Sequence, residues 1–184
     1  VKESVCNLLR GWFEDAVVVD LFAGVGTMAL EAASRGAARV VAVERDRRVA
    51  RYLRENIEML GLGDRVEVLM ADALAPTTLT RIAGHPDLIF IDPPYALMRD
   101  AESRQRVLEQ AVRCGQMLAR PGFLVLRTPE RPDRVPHPVA GLEGPEVHAY
   151  ASDMYVLLYA PPPEPGEGDG DGDAAGHSDV DPVA

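Results

Sequence analysis

Apolar runs of strand length alternate along this chain with segments of helical pattern, and this alternation limits the fold more than any other feature. Five such runs are present, at residues 16–22, 38–44, 65–72, 87–92 and 122–128. Segments with helical signals follow the first four of them, at residues 27–36, 46–61, 78–83 and 101–119. Strands that alternate with helices in this way form a parallel sheet covered by helices on both faces. The fold class is therefore predicted to be α/β.

The two ends of the chain depart from this alternation. Apolar residues at helical spacing near the start predict a leading helix before the first strand. At the other end, strands at residues 146–152 and 153–160 are joined by a tight connection at Ser152-Asp153, with no helix between them. Because so short a connection joins antiparallel strands, we expect this pair to be antiparallel.

Composition divides the chain into one domain, residues 1–160, and an acidic tail, residues 161–184. The tail is rich in Pro, Gly and Asp, and it holds seven acidic residues and no Lys or Arg. We expect the tail to be disordered. The whole chain has a net charge of −10, but outside the tail 22 acidic residues stand against 19 basic residues. The domain is nearly balanced in charge, so composition does not exclude a nucleic-acid partner.

Composition also bears on compartment and on metals. Cys6 and Cys114 are too few and too far apart for a disulfide framework or a metal site of the zinc-knuckle kind. No apolar run reaches the ~20 residues of a membrane span, and the start of the chain does not resemble a signal peptide. We therefore expect a cytoplasmic protein with no membrane segment and no bound metal.

A glycine-bearing turn follows the first predicted strand in the stretch DLFAGVG. Gly24 and Gly26 allow a ligand to approach the backbone closely before the next helix begins. Glu44 ends the second strand, where an acid can bind both hydroxyls of an adenosine ribose. A nicotinamide cofactor and S-adenosylmethionine would both fit these features. Asp20 favours S-adenosylmethionine, because a carboxylate attracts the ammonium of a methionine group and repels a pyrophosphate.

Acidic residues end four successive predicted strands: Asp20, Glu44, Asp72 and Asp92. In an open α/β sheet, ligands bind beyond the carboxyl ends of the strands, near the point where the strand order reverses. We therefore expect the four carboxylates to surround one site. Asp72 is predicted to accept the amino group of an adenine, and Ala73 to supply a backbone donor. A role as a turn residue, a helix cap or a solvated strand end is the alternative for these acids.

The fourth strand leads directly into Asp92, Pro93, Pro94 and Tyr95. Two successive prolines fix φ near −65° and disfavour helical backbone before them, so we expect an extended, non-helical step out of the sheet. The Asp92 carboxylate and the Pro93 carbonyl are acceptors, and the prolines offer no N–H. The two hydrogens of a nucleobase exocyclic amine can bind such acceptors, while Tyr95 stacks on an extruded base. The four residues predict a site that orients an amine nitrogen toward an electrophile.

These motifs resemble the bacterial 16S rRNA guanine-N2 methyltransferase family (RsmD-type), which belongs to the class I S-adenosylmethionine-dependent methyltransferases. The similarity is carried by DLFAGVGTMALEAASRGA, VAVERD, NIEMLGL and FIDPPY, and it extends from about Lys2 to Tyr159. The stretch VKESVCNLL is similar to that family's first helix, with Lys2 and Cys6 in place of an arginine and an aromatic residue. The family's preceding basic segment is not in this chain, and we expect the natural N-terminus to lie further upstream.

The resemblance implies a Rossmann-like fold with a seven-stranded, mostly parallel sheet, helices on both faces and an antiparallel final strand. It implies an S-adenosylmethionine site formed by Asp20, Gly24, Gly26, Glu44, Asp72 and Ala73. It implies that the target base is held by the catalytic residues Asp92, Pro93, Pro94 and Tyr95. The substrate would be the N2 amine of a guanine in 16S rRNA, within the small ribosomal subunit.

Three other functions share part of these features. The Asp-Pro-Pro-Tyr motif also serves the amine of adenine, so a DNA or RNA adenine-N6 methyltransferase is the nearest alternative. A nicotinamide-dependent oxidoreductase would explain the glycine turn but not the two prolines. A non-catalytic S-adenosylmethionine-binding subunit would not require acids at all four strand ends.

We expect a monomer. Arginines that could contact phosphates are Arg47, Arg48, Arg51, Arg54, Arg104 and Arg106.

Overall fold

The computed structural model describes residues 2–151 and 153–163, which form an α/β fold. Its strands are β1 (Val17–Asp20), β2 (Arg39–Glu44), β3 (Val66–Met70), β4 (Leu88–Ile91), β5 (Phe123–Thr128), β6 (Glu143–Ala151) and β7 (Met154–Ala160). Its helices are α1 (Lys2–Leu8), α2 (Thr27–Ser34), α3 (Arg47–Met59), α4 (Pro76–Leu79), α5 (Tyr95–Arg99) and α6 (Ala101–Met117). Among the described residues, no helix has the length and apolar character needed to cross a membrane.

The seven strands form one sheet in the order β3-β2-β1-β4-β5-β7-β6. Neighbours among β1 to β5 are parallel, whereas β7 is antiparallel to both β5 and β6. The predicted mostly parallel sheet with antiparallel final strands is confirmed. From β1 the chain adds strands on one side of the sheet, and from β4 it adds them on the other. The carboxyl ends of β1 and β4 therefore flank the switch point at which ligands bind in such sheets.

Alternate strand residues pack into two cores, one on each face of the sheet. Val18 and Phe90 belong to the core that contains buried residues of α1, α2 and α3. Val19 and Ile89 belong to the other core, together with buried residues of α6. Successive strand side chains point to opposite faces, so a strand in which every residue is apolar serves both cores. This packing on both faces holds the strand ends that carry the acidic residues.

Three local features differ from the sequence predictions. The helical segment expected at residues 78–83 is α4, which begins earlier, at Pro76, and ends earlier, at Leu79. Proline is favoured at a helix start, where its missing N–H is not needed. α5 begins at Tyr95, so the prediction of a non-helical step was wrong beyond Pro94. β6 begins at Glu143, earlier than predicted. Ser152, in the predicted turn, and residues 164–184 of the predicted tail lie outside the described residues.

Candidate active site

A pocket of about 500 Å³ opens at the carboxyl ends of β1, β2, β3 and β4. Its volume falls within the range of ~300–1,000 Å³ that is usual for small-molecule sites. Eight of the ten predicted site residues line it: Gly24, Glu44, Asp72, Ala73, Asp92, Pro93, Pro94 and Tyr95. Apolar side chains such as Phe22 and Leu97 contribute to the wall, as do Arg45, Arg106 and Arg127. The structure thus brings together residues from four separate turns of the chain.

Glu44 connects the glycine turn after β1 to the turn after β2. Its Oε2 accepts the Gly24 N–H at 3.0 Å, and its Oε1 accepts the Asp46 N–H at 2.7 Å. Each carboxylate oxygen has a second lone pair, so acceptor capacity remains toward the pocket. Asp46 caps the N-terminus of α3. It accepts the N–H groups of Val49 and Arg48, and these bonds lower the pKa of its carboxyl.

The glycine turn between β1 and α2 uses its two glycines differently. Gly24 has a φ of 55°, and a Cβ there would meet no atom within 4 Å. Gly26 has a φ of 93° and caps α2, where a Cβ would collide with the side chain of Leu53. Gly24 is part of the pocket wall, but Gly26 is not among the lining residues. The structure therefore explains Gly26 by packing against α3, and a contact between Gly26 and a ligand stays a prediction.

Asp20 ends β1, and only 2% of its surface is exposed. Its backbone pairs with Ala42 of β2 and with Phe90 of β4, at the centre of the sheet. A carboxylate buried to this degree is costly unless it is hydrogen-bonded or paired. The following residue, Leu21, lines the pocket, whereas Asp20 itself does not. Asp20 therefore lies next to the cavity and not on its wall, and its contact with a cofactor ammonium stays a prediction.

Asp72 and Ala73 form the turn that follows β3. Asp72 Oδ1 accepts the Leu74 N–H at 3.0 Å, and the Asp72 carbonyl accepts the Thr78 hydroxyl at 2.6 Å. The carboxylate thus shapes a turn and also lines the pocket. Gln110 of α6 is completely buried, and its Nε2 donates to the Ala73 carbonyl at 2.7 Å. Gln110 was not predicted, and its signal was an amide among the buried apolar positions of α6.

Asp92, Pro93 and Pro94 carry the chain from β4 into α5. Pro94 has a φ of −50° and a ψ of 135°, which is extended backbone, and its carbonyl accepts the Leu97 N–H at 2.9 Å as α5 begins. Tyr95 is the first residue of that helix. The Arg99 guanidinium lies 5.8 Å from the centre of the Tyr95 ring, a distance that permits a cation–π contact. The extended step predicted for the prolines is therefore present at Pro94, but a helix follows at once.

Arg127 is a site residue that was not predicted. It lies on β5, and its Nη1 is 2.8 Å from Asp92 Oδ2. Both side chains are partly buried, with 20% of Arg127 and 24% of Asp92 exposed. The signal in the sequence was a charged residue directly after four apolar residues in the strand FLVLRT. Ile91 and Leu126 pair across the sheet, so the residues that follow them are neighbours.

The residues that the structure describes include no cluster of possible metal ligands, and both cysteines are buried. These residues contain no group of three or more His, Cys, Asp or Glu side chains that could hold a metal ion. Cys6 and Cys114 are buried, and burial raises the pKa of the two thiols to about 11 and about 12. The reactive thiolate is therefore scarce at neutral pH. The titratable side chains that line the pocket are carboxylates, arginines and the Tyr95 phenol.

Comparison with known proteins places the chain in a family and finds methyltransferases among its relatives. The family described as Conserved hypothetical protein 95 matches residues 1–158. The chain belongs to this family. Ribosomal RNA small subunit methyltransferase D of Haemophilus influenzae is 33% identical over 96 residues, which are 52% of this chain and 50% of that protein. Release factor glutamine methyltransferase of Mycolicibacterium smegmatis is 45% identical over 82 residues, which are 44% of this chain and 28% of that protein.

A solved structure shares the fold. The yhhF protein of Escherichia coli is similar with a TM-score of 0.71 and 25% identity, and the similarity covers 87% of this chain and 83% of that chain. The predicted Rossmann-like fold and the resemblance to the small-subunit rRNA methyltransferase family are confirmed. The chain spans about half the length of its H. influenzae relative.

Proposed function

We propose that this chain carries the catalytic domain of an S-adenosylmethionine-dependent methyltransferase that modifies the N2 amine of a guanine in small-subunit rRNA. One observation carries the proposal: the Asp92-Pro93-Pro94-Tyr95 step lines the same pocket as Glu44. An amine-binding motif therefore faces a cavity that has an acid suited to a ribose. The name of the H. influenzae relative, an rRNA small subunit methyltransferase, supports the substrate class. A ribosomal substrate implies a cytoplasmic protein.

The pocket residues fit S-adenosylmethionine. Glu44 would accept hydrogen bonds from the two ribose hydroxyls, because its carboxylate lines the pocket and retains acceptor capacity. Asp72 would accept the adenine amine. Gly24 has no side chain and open space at its Cβ position, so a ligand could lie against the backbone there. When bound, S-adenosylmethionine supplies a methyl group on a cationic sulfonium, which an amine nitrogen can attack.

Asp92 would position the target amine. Its carboxylate and the Pro93 carbonyl are acceptors at the pocket wall, and two N–H···O bonds to them would direct the nitrogen lone pair into the cavity. Tyr95 would provide a face for an unstacked base, a contact worth ~1–3 kcal/mol. The methylated nitrogen must lose one proton, and an Asp92 carboxylate oxygen would accept it. We assign the rate enhancement mainly to orientation and proximity.

Support for guanine N2 comes from the family resemblance of the motifs. Adenine N6, cytosine N4 and guanine N2 are all amines conjugated to a ring, and the same two acceptors would bind any of them. The geometry of the pocket therefore fits an adenine-N6 methyltransferase equally well. Identification of the product nucleoside distinguishes these alternatives.

A glutamine side chain of a protein is a second candidate substrate. The observation that favours it is the 45% identity to release factor glutamine methyltransferase over 82 residues. A glutamine amide also presents an NH₂ group that two acceptors can orient. That identity covers 28% of the release factor enzyme, however, whereas the family match covers residues 1–158 of this chain. We therefore rank rRNA before a protein substrate.

The deciding experiment identifies the methylated product. The purified protein is incubated with methyl-labelled S-adenosylmethionine and one of several acceptors. The acceptors are hypomethylated small ribosomal subunits, naked 16S rRNA, DNA and a peptide release factor. Digestion to nucleosides or amino acids then locates the label.

Each product has a distinct meaning. N2-methylguanosine from the subunit or the rRNA would support the full proposal. N6-methyladenine would retain the enzyme class and overturn the base. Labelled methylglutamine would support the second candidate. Cofactor binding without transfer to any acceptor would contradict an enzyme function and favour a non-catalytic S-adenosylmethionine-binding subunit.

A further inference from the structure

The ion pair between Asp92 and Arg127 joins the proposed amine-binding carboxylate to a strand that the reaction does not otherwise use. Arg127 Nη1 lies 2.8 Å from Asp92 Oδ2, which is the length of a charge-assisted hydrogen bond. Ile91 and Leu126 pair in register just before the two residues. Arg127 itself lies within β5 and Asp92 directly follows β4. Arg127 is therefore held within the sheet, and Asp92 is held next to it at the end of β4.

The surroundings of Arg127 differ from those of an ordinary surface ion pair. Arg127 and Asp92 line the 500 Å³ pocket, and they also line a small second cavity whose other walls are apolar: Val5, Met28, Phe90, Ile91, Val125 and Val156. The Arg127 Nε is buried, and no described residue accepts its hydrogen. An unsatisfied buried N–H costs stability, and apolar replacement of a buried ion pair is often neutral or stabilising. Stability alone therefore does not explain an arginine at this position.

We propose that Arg127 is a positioning residue for the Asp92 carboxylate, an inference that rests on the proposed amine methylation. A carboxylate on a short side chain can rotate, and rotation would move its lone pairs away from the target amine. The guanidinium holds Oδ2 from the β5 side, so the carboxylate is oriented before the substrate binds. Arg127 acts through Asp92 and not on the reacting atoms.

The positive charge of Arg127 has a second consequence. This charge partly neutralises the Asp92 carboxylate and makes it a weaker base. The carboxylate therefore acts first as an oriented hydrogen-bond acceptor for the amine, and it takes up the proton only after methyl transfer. The position of the carboxylate then matters more than its basicity, and a displacement on the order of 1 Å can lower an enzymatic rate by about 10²-fold. Loss of the guanidinium should lower kcat. The affinity for S-adenosylmethionine should not change, because Glu44 and Asp72 lie at the ends of other strands.

The test compares variants in methyl transfer to hypomethylated small subunits. R127M should lower kcat by about 10- to 100-fold and change the Kd for S-adenosylmethionine by less than about twofold. R127K keeps the charge but not the planar fork, and it should recover part of the rate. In the D92N background, R127M should cause no further loss, because Arg127 acts through Asp92.

A matched control is available on β2. Arg39 forms an ion pair of similar length, 2.9 Å from Glu67, but this pair is more exposed, and Arg39 begins β2, at the end of the strand opposite the pocket. R39M should leave turnover unchanged. Circular dichroism and thermal unfolding would show that each variant is folded. If R127M alone does not fold, the double variant D92N/R127M, in which no charge is left unpaired, is compared with D92N.

The outcomes separate this inference from the proposed function. Wild-type turnover by R127M, or a loss from R127M that multiplies the loss from D92N, would overturn the inference and leave the proposed function intact. Partial recovery in R127K, together with no added loss in the double variant, would support it. If the wild-type protein transferred no methyl group to rRNA, the proposed function and this inference would both fall.

Discussion

Asp92 has two partners in the proposed reaction, the target amine and Arg127. A useful substitution at Asp92 has to distinguish the loss of the amine contact from the loss of the ion pair. Asp92→Ala would remove the amine acceptor, but it would also leave the partly buried guanidinium without its counter-ion. Activity could then be lost through instability, because breaking a buried pair is strongly destabilising. Asp92→Asn keeps the shape and one acceptor oxygen. We expect it to lower kcat by about 10²–10⁴-fold and to change S-adenosylmethionine binding by less than about twofold.

Single-turnover methyl transfer and calorimetric titration of S-adenosylmethionine would measure the two quantities. Asp64→Asn is the matched control, since Asp64 is exposed and lies before β3, outside the pocket lining. Turnover at the wild-type rate in Asp92→Asn would remove the carboxylate charge from the mechanism. Loss of cofactor binding together with turnover would instead assign Asp92 to the cofactor.

Gly26 is a second residue whose substitution gives a quantitative expectation. Its φ of 93° is a left-handed conformation that costs an L-residue ~1–2 kcal/mol, and a Cβ would collide with Leu53. Gly26→Ala should therefore lower the free energy of unfolding by about 1–2 kcal/mol or more and weaken S-adenosylmethionine binding through the adjacent Gly24.

Urea unfolding measures the effect of Gly26→Ala, and Gly63→Ala provides the comparison. A Cβ on Gly63 would meet no atom within 4 Å, and its φ is not left-handed, so its change should stay within about 0.5 kcal/mol. Equal effects of the two substitutions would mean that the left-handed turn does not constrain this site.

At the scale of the element, the strands were predicted more completely than the features at their ends. β1, β2 and β4 are apolar runs because both of their faces are buried, and that requirement is visible locally in the sequence. α5 was missed because two prolines disfavour a helix before them but permit one after them. Arg127 and Gln110 were missed because their partners, Asp92 and Ala73, are distant in the chain. A single sequence carries no direct record of such pairing.

The segment between β5 and β6 is held by a buried histidine. His137 is 2% exposed, its Nε2 lies 3.1 Å from Thr128 Oγ1, and its carbonyl accepts the Tyr159 hydroxyl at 2.6 Å. Burial lowers the pKa of His137 below its ordinary value of 6.5, and the positive charge of Arg104 acts in the same direction. The unfolded chain therefore takes up this proton at a higher pH than the folded protein does. The stability that neutral His137 contributes is complete above pH 6.5 and declines as the pH falls below that value.

Urea unfolding from about pH 5 to pH 8 would test this dependence. His137→Gln removes the titrating group, so its free energy of unfolding should decline less than that of the wild type as the pH falls through 6. His85→Gln is the control, because His85 is exposed, and it should follow the wild type. Parallel curves for wild type and His137→Gln would contradict the assignment of this pH dependence to His137.

At the scale of the whole molecule, the candidate site lies where the two halves of the sheet meet. The acids gather because four parallel strands end at the same edge, and parallel strands alone were enough to predict that. The sequence did not reveal which acids reach the cavity. Glu44, Asp72 and Asp92 line it, whereas Asp20, the last residue of β1, is buried beside it. The depth of a residue depends on what packs over it, and that packing involves the whole chain.

The net negative charge of the chain should lower its affinity for rRNA. The chain carries a net charge of −10, and the segment from Pro161 onward contributes seven acids without a base. Negative charge on a protein opposes its association with phosphates over distances comparable to the Debye length. Replacing these seven acids with Asn or Gln, at unchanged length, should raise the affinity for small ribosomal subunits about 2- to 10-fold near 50 mM salt. The gain should vanish near 0.5 M salt, where the screening length is only about 4 Å.

Filter binding at both salt concentrations would measure this difference in affinity. Equal affinities at low salt would mean that the charge of the segment does not reach the RNA, and a difference that persists at high salt would indicate a direct contact.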